Sequence, residues 1–413
     1  METTWMDTEG EWRKALDDVR SEANIKWQRS PVPPNFRIWE EVTKRKSNVN
    51  KNCCKFKLMS YNVLAQYLLE YHPHLYTECD PQNLTWDRRS KLLYEEIVNL
   101  SPDILCLQEV EVTHLHSFFS KFNEIGYQGV YKQKTGDKFD GCAIYFRRSM
   151  FNLIDYVSVE FLQPDLPLLN RDNIGIIAKL VPRSSPGAPF VVATTHLLYN
   201  PRRTDVRLAQ IQVFLAELDR FSYDNSIKEP GYLPIILTGD LNSTPDNAVV
   251  QLLDHGHVDA SPFRDNSDWR KIGVTDRCQH LAVQINRKIG EKTVDFSKIK
   301  LHNSLLAVQS MNHHEELIPQ EYNNLFNSGT LKHSLKLSSV YDKVKSDGQC
   351  EATTFQDYWV TVDYIYFSQH SRLHLGERLR LPTANECEVL GCLPNSVYGS
   401  DHLALAAVFE YES

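Results

Sequence analysis

The chain has 413 residues, 42% of them apolar and 24% charged, which suits one large α/β domain with a sizeable core. Its net charge of −8 excludes a protein that coats nucleic acid through a general basic surface, so any RNA or DNA contact has to be a local basic patch beside a metal. No apolar run approaches the ~20 residues of a membrane span, and no membrane contact is expected.

The first residues, "METTWMDTEGEWRKALDD", are acidic and broken by charges, unlike a secretory signal. Residues 1–54 read as an N-terminal arm or tether. Prolines in "RSPVPPNFRIWEEV" favour extended chain, "KRKSNVNKN" is polar, and Trp27 and Trp39 can pin the arm to the domain. Nine cysteines, an odd number without a CxxC pair, read as reduced thiols of the cytoplasm or nucleus and argue against structural zinc.

From residue 55 the pattern alternates between strand and helix. "FKLMSYNVLA" suits a strand, "WDRRSKLLYEEIVNL" a helix, and "PDILCLQEV" an apolar strand ending in acid. "HLHSFFSKFNEIGY" reads as a helix, "GCAIYFRR" as a strand, and "NIGIIAKLV" and "FVVATTHLL" as two strands joined by "PRSSPGAP". After "NPRR", Thr204 or Asp205 can cap an amphipathic helix with Leu208, Ile211, Leu215 and Leu218 on one face. "PIILTGDLN" reads as a buried strand. "STPDNAVVQLLDHG" reads as a helix with Thr244 at the cap and Pro245 first. Periodicity fails over about 263–340, an expected insertion that is partly helical, and "VDYIYFS" and "DHLALAAVFEY" complete the strands.

Strand after strand ends in reactive groups: Asn62, Glu109, His196, Asp240 with Asn242, and Asp363, while Asp401 and His402 open the last strand. Strand ends on one sheet edge converge, so these groups can assemble a site. Glu109 follows an apolar run, and a buried carboxylate needs a partner or a metal; a salt bridge or helix cap is the plain alternative. The i, i+2 spacing of Asp240 and Asn242 puts both on one face of a strand, with an Asx-turn as the alternative. His402 near a carboxylate gains a raised pKa and a fixed tautomer. His196 is followed by Asn200, Arg202 and Arg203, which can contact phosphate, although "PRRTDVR" can equally be a solvated helix start with Arg207 exposed. Asn173, before its strand, joins the substrate-contact candidates. Oxygen donors at Glu109, Asn62 and Asp401 suit Mg2+, or Mn2+. Neither HExxH nor GxxxxGK[ST] occurs.

"MSYNVLA", "LCLQEV", "THLLYNP", "TGDLNSTP", "VDYIYFS" and "SDHLAL", in this order, resemble the exonuclease–endonuclease–phosphatase superfamily. The resemblance runs from Lys55 to the C-terminus. Within the superfamily, "YNVLAQ" and "HLLYNPRRTDVRLAQ" are similar to the deadenylase-related branch and its Angel group. The resemblance implies a four-layer α/β/β/α sandwich of two mixed β-sheets packed face to face. It implies that Glu109 is the main magnesium ligand with Asn62 and Asp401 near it, and that Asp240 orients or deprotonates the attacking water. Asn242 would hold the phosphate, Asp363 would pair with His402 on the phosphate, and His196 would stabilise the phosphate or assist the leaving group. The implied reaction is in-line water attack at an RNA 3′ end, with 2′,3′-cyclic phosphate as substrate and no DNA partner. A 3′→5′ poly(A) exonuclease uses the same core. Tyr358 and Trp359 can form a stacking wall for a base, or they can be sheet packing. The non-enzyme reading is a protein that docks RNA or a translation factor through its arm, and a third reading is a small-molecule or lipid phosphatase.

Overall fold

A computed structural model describes residues 32–33, 35–42, 53–225, 231–264, 269–289, 325–326, 328–356 and 358–412. Trp27, "KRKSNVNKN" and residues 290–324 of the expected insertion lie outside the described residues. Two large mixed sheets organise the chain. The seven-stranded sheet runs in the order Trp39–Glu41, Leu373–Leu379, Leu405–Glu412, Cys53–Asn62, Ile104–Glu111, Asp140–Arg147, Tyr127–Gln133. The six-stranded sheet runs Leu337–Ser339, Asp363–Ser368, Ile235–Asp240, Phe190–His196, Ile174–Pro182, Phe151–Glu160. Cys53, Cys54, Cys106, Cys142, Cys278, Cys350 and Cys387 are free thiols.

The two-residue period of a strand sorts its side chains between two cores. Ile104 and Cys106 face inward, with Phe56, Leu58, Val192, Ile236 and Ile365, into a cluster between the sheets. Leu105 and Leu107 face outward, against Leu93 and Ile97 of the helix Trp86–Leu100. On the other sheet Phe190 and Val192 point between the sheets, while Val191 and Ala193 pack beneath the helix Thr204–Ser222. Burial on both faces explains why these strands read as continuous apolar runs. This is the expected layering, helices outside two facing sheets.

Several local expectations are corrected. The helix Thr204–Ser222 is not amphipathic: nearly every side chain from Val206 to Ser222 is buried. The segment after residue 268 covers its outer side. Gln212 Nε2 donates to the carbonyls of Val274 and Thr275 at 3.2 and 3.0 Å, and Arg287 pairs with Asp219 at 2.9 Å. Neither Thr204 nor Asp205 caps this helix, whose N-cap is Arg203 with no capping bond from its side chain. Arg207 is buried, because its guanidinium turns back to the carbonyls of Asn200 and Pro201 and to Thr204 Oγ1. The next helix spans Ala248–His255, and its cap is Asn247, which accepts from Val249 N–H; Thr244 Oγ1 is engaged by Asp246. "HLHSFFSKFNEIGY" forms short turns in place of one helix, with Ser120 Oγ bonded back to the His116 carbonyl at 2.6 Å. Trp39–Glu41 joins the seven-stranded sheet as an edge strand, so residue 55 falls inside a strand of a sheet that reaches back to Trp39.

Candidate active site

Strand register does most of the assembly. Asp240 ends its strand opposite His196 on the parallel side and opposite Asp363 on the antiparallel side. On the other sheet Asn62 pairs across from Gln108, one residue before Glu109. Glu109 sits in a bulge where pairing slips between Leu107 and Val110, and its φ is 58°. A left-handed glutamate costs about 1–3 kcal/mol, and hydrogen bonds on its carboxylate offset this. Ala65 N–H donates to Oε2 at 2.9 Å and Asn62 Nδ2 to Oε1 at 3.0 Å.

Asn62 Nδ2 also donates to Asp240 Oδ2 at 3.0 Å, so this amide joins the two acids. Its oxygen accepts from Leu64 N–H at 3.0 Å. The amide therefore presents its nitrogen to both acids, which places Asn62, expected near the ion, in direct contact with Glu109. Asn242 does not share a strand face with Asp240, as its spacing predicted. The strand ends at Asp240, and Asn242 sits at φ 46° in an Asx-turn, its N–H on Asp240 Oδ1 at 2.9 Å and its Nδ2 on the Leu197 carbonyl at 3.0 Å.

Asp401 and His402 precede the last strand, which begins at Leu405. Asp401 Oδ2 accepts from Tyr76 O–H at 2.9 Å, and Ser400 Oγ ties this loop to the Asn62 carbonyl at 2.6 Å. His402 Nδ1 lies 2.8 Å from Asp363 Oδ2; its Nε2 lies 3.8 Å from Asp240 Oδ2 and 3.9 Å from Asp401 Oδ1. Burial works against charge on His402, but Asp363, Asp401 and Asp240 hold its imidazolium well above the usual histidine range. His196 goes the other way: burial, then Lys134 and His402, hold it well below that range, hence neutral. Its Nε2 is 3.6 Å from Asp240 Oδ2, while its buried Nδ1 has no protein partner. Burial and the Asp363 charge push Asp240 up to about 7. Burial, Asp140 and Asp401 raise Glu109.

Two acidic groupings can be weighed for a cation. The ligand atoms of Asp240, Asp363 and His402 converge most tightly, within 4.8 Å of one another. A protonated His402 already bonded to Asp363 has no lone pair to give, so this trio fits a cation poorly. Burial and the neighbouring Asp140 and Asp401 charges raise the cost of ionising Glu109, and a hard cation between Glu109 and Asp401 would relieve it. The donor set thus fits a magnesium-type ion at Glu109 and Asp401.

The substrate-contact candidates divide. Asn173 is buried: its Nδ2 donates to the His196 carbonyl at 3.1 Å and its Oδ1 accepts from Gln210, so it fixes the strand end and is not open to substrate. Arg203 is paired with Asp205 at 2.9 Å, and Asn200 Oδ1 holds Arg202 N–H at 3.0 Å in a turn. Arg202 and Asn200 are exposed. Trp359 is buried against Phe355 and Leu403, so it is packing and no stacking wall, whereas Tyr358 is 67% exposed. Its hairpin is joined to the site, because Thr354 bridges to His402. Ala65, Tyr76 and Ser400 were missed, since backbone donors and a lone tyrosine leave no pattern in sequence.

Residues 59–402 match the Endonuclease/Exonuclease/phosphatase family. Protein angel homolog 2 of Bos taurus is 33% identical over 88% of this chain and 70% of its own length, and protein angel of Drosophila melanogaster is 34% identical over 86% and 81%. The crystal structure of ANGEL2, a 2′,3′-cyclic phosphatase, in complex with adenosine-2′,3′-vanadate, is 32% identical with a TM-score of 0.73, covering 91% of this chain and 99% of that one. The human Nocturnin catalytic domain, 23% identical with a TM-score of 0.56, shares the fold. With its motifs converging on one buried acidic site, the chain belongs to the Endonuclease/Exonuclease/phosphatase family.

Proposed function

We propose that the protein is a magnesium-dependent phosphoesterase of RNA 3′ ends that hydrolyses 2′,3′-cyclic phosphates to 2′,3′-hydroxyls. The observation that carries this reading is the buried chain of contacts Glu109–Asn62–Asp240–His402–Asp363. The likeness to a 2′,3′-cyclic phosphatase over nearly the whole chain supports the choice of substrate.

The residues divide the work. Asp240, with a pKa near working pH, takes the proton of the attacking water. His402, kept cationic by Asp363, faces the negative charge that develops on the phosphoryl oxygens. Neutral His196 aligns Asp240 and offers a ring nitrogen to the phosphate or to a departing ribose oxygen. Glu109 and Asp401 would hold the metal ion, which supplies charge neutralisation at the phosphate when bound. One water opens the cyclic diester to a monoester; a second releases phosphate and leaves the diol.

The test is incubation with magnesium and two oligonucleotides, one ending in a 2′,3′-cyclic phosphate and one in a plain A-tail. The reading expects loss of the cyclic end and an intact A-tail. Shortening of the A-tail with the cyclic end untouched would establish the exonuclease instead.

A further inference from the structure

Arg89 is wholly buried on the helix Trp86–Leu100, on the face it shares with Leu93 and Ile97. A guanidinium there costs several kcal/mol unless its donors are filled. Two loops fill them. Nη1 donates to Gln66 Oε1 at 2.8 Å, and Nη2 donates to the carbonyls of Val63, at 2.8 Å, and Leu64. Nε donates to the Gly399 carbonyl at 2.8 Å. All four bonds end on neutral oxygens, and the carboxylates of Asp401 and Glu109 answer the charge at longer range.

Each loop carries one half of the site. The loop after Asn62 supplies Leu64 N–H to Asn62 and Ala65 N–H to Glu109. The loop after Gly399 carries Asp401 and His402. Gly399 also needs its hydrogen: a Cβ there would lie 2.6 Å from the Arg89 carbonyl oxygen, so this loop rests directly on helix backbone.

We infer that Arg89 is a positioning residue, whose planar fork ties the loop that orients Glu109 to the loop that carries Asp401 and His402, setting the distance from Glu109 to Asp401 and His402. This rests on the reading of the site as a phosphoesterase centre. A lysine cannot replace the fork, because one ammonium on a flexible stem cannot reach both loops along three directions.

The experiment compares Arg89→Lys, Arg89→Ala and Gly399→Ala with the parent. Hydrogen exchange read by mass spectrometry should show faster exchange confined to peptides covering 62–67 and 398–403, with the strand Phe190–His196 unchanged. Mn2+ should bind roughly 10–100-fold more weakly, as for other supports of metal ligands. In all three variants kcat should fall about 10²–10³-fold with KM little changed. Millimolar guanidinium should restore part of the Arg89→Ala loss, and ethylammonium should not. Parental kcat and Mn2+ affinity in Arg89→Lys would overturn the inference. So would exchange that rises uniformly through the domain without guanidinium rescue, the mark of a purely structural arginine. Exchange and Mn2+ binding need no substrate, so they decide the role of Arg89 even if the parent leaves cyclic ends intact.

Discussion

Asp363→Asn removes one charge from the centre of the site and keeps the side chain's shape. Asp363 lies 2.8 Å from His402 Nδ1, while the other two carboxylates facing this ring lie 3.8 and 3.9 Å from Nε2. At an effective dielectric near 20, a pair at the first distance has a gross attraction of about 6 kcal/mol, against about 4 for each of the others. Part of the gross figure is offset by the desolvation of Asp363 itself, and asparagine keeps a hydrogen bond. The loss of transition-state stabilisation is therefore about 3–5 kcal/mol, or about 10²–10⁴-fold in kcat at 1.36 kcal/mol per decade. Because His402 acts on charge that develops during reaction, KM should stay within a few-fold of the parent. Single-turnover and steady-state assays on a cyclic-phosphate oligonucleotide measure both quantities, with a thermal melt to check folding. A kcat within threefold of the parent would refute the role given to the pair.

Three further outcomes are expected. Glu109→Gln should abolish the upward shift in melting temperature caused by Mg2+, yet leave the apoprotein as stable or more so, by about 1 kcal/mol, because a buried like-charge contact with Asp140 and Asp401 is relieved; thermal melts with and without Mg2+ decide this. Tyr358→Ala should raise KM for RNA substrates by about 5–100-fold if the exposed ring stacks on a base, while Trp359→Ala should destabilise the fold by about 3–5 kcal/mol; kinetics for the first and urea melts for the second separate the two aromatics. For Glu217, burial alone would raise the pKa, but His280 and Arg220 hold it at about 2. A depressed carboxylate stabilises the fold above its unfolded pKa of about 4.5, and this contribution, a few kcal/mol, is lost as pH falls towards 2. Urea midpoints measured from pH 6 to pH 2 should fall steeply below pH 4.5 in the parent and less steeply in Glu217→Gln.

The convergence of His196 and Asp240 was legible because each ends an apolar strand; Asp363, expected at a strand end, instead opens its strand, and Glu109 sits inside its strand in a bulge. What escaped depends on who sits across the fold. Thr204–Ser222 carries Gln212, Glu217 and Asp219 and so reads as half solvated, yet partners more than 50 residues later bond to these groups in the interior. Asn173 and Asn242 each donate Nδ2 to a backbone carbonyl, partners that neighbouring sequence does not reveal. Tyr358 and Trp359 are adjacent in a strand and necessarily face opposite ways, so only one can be open to a base. Arg89 had a signal, an arginine at a helical position in phase with Leu93 and Ile97, but the loops that use it lie as much as 310 residues away.

The most direct measurement is the product made from an RNA ending in a 2′,3′-cyclic phosphate, analysed with parent protein and Asp240→Ala in the presence of Mg2+. The account predicts a 2′,3′-hydroxyl end with release of inorganic phosphate from the parent, and at least a hundredfold slower release, about 3 kcal/mol, from the variant. An unchanged cyclic end with the parent, or equal release by Asp240→Ala, would contradict it.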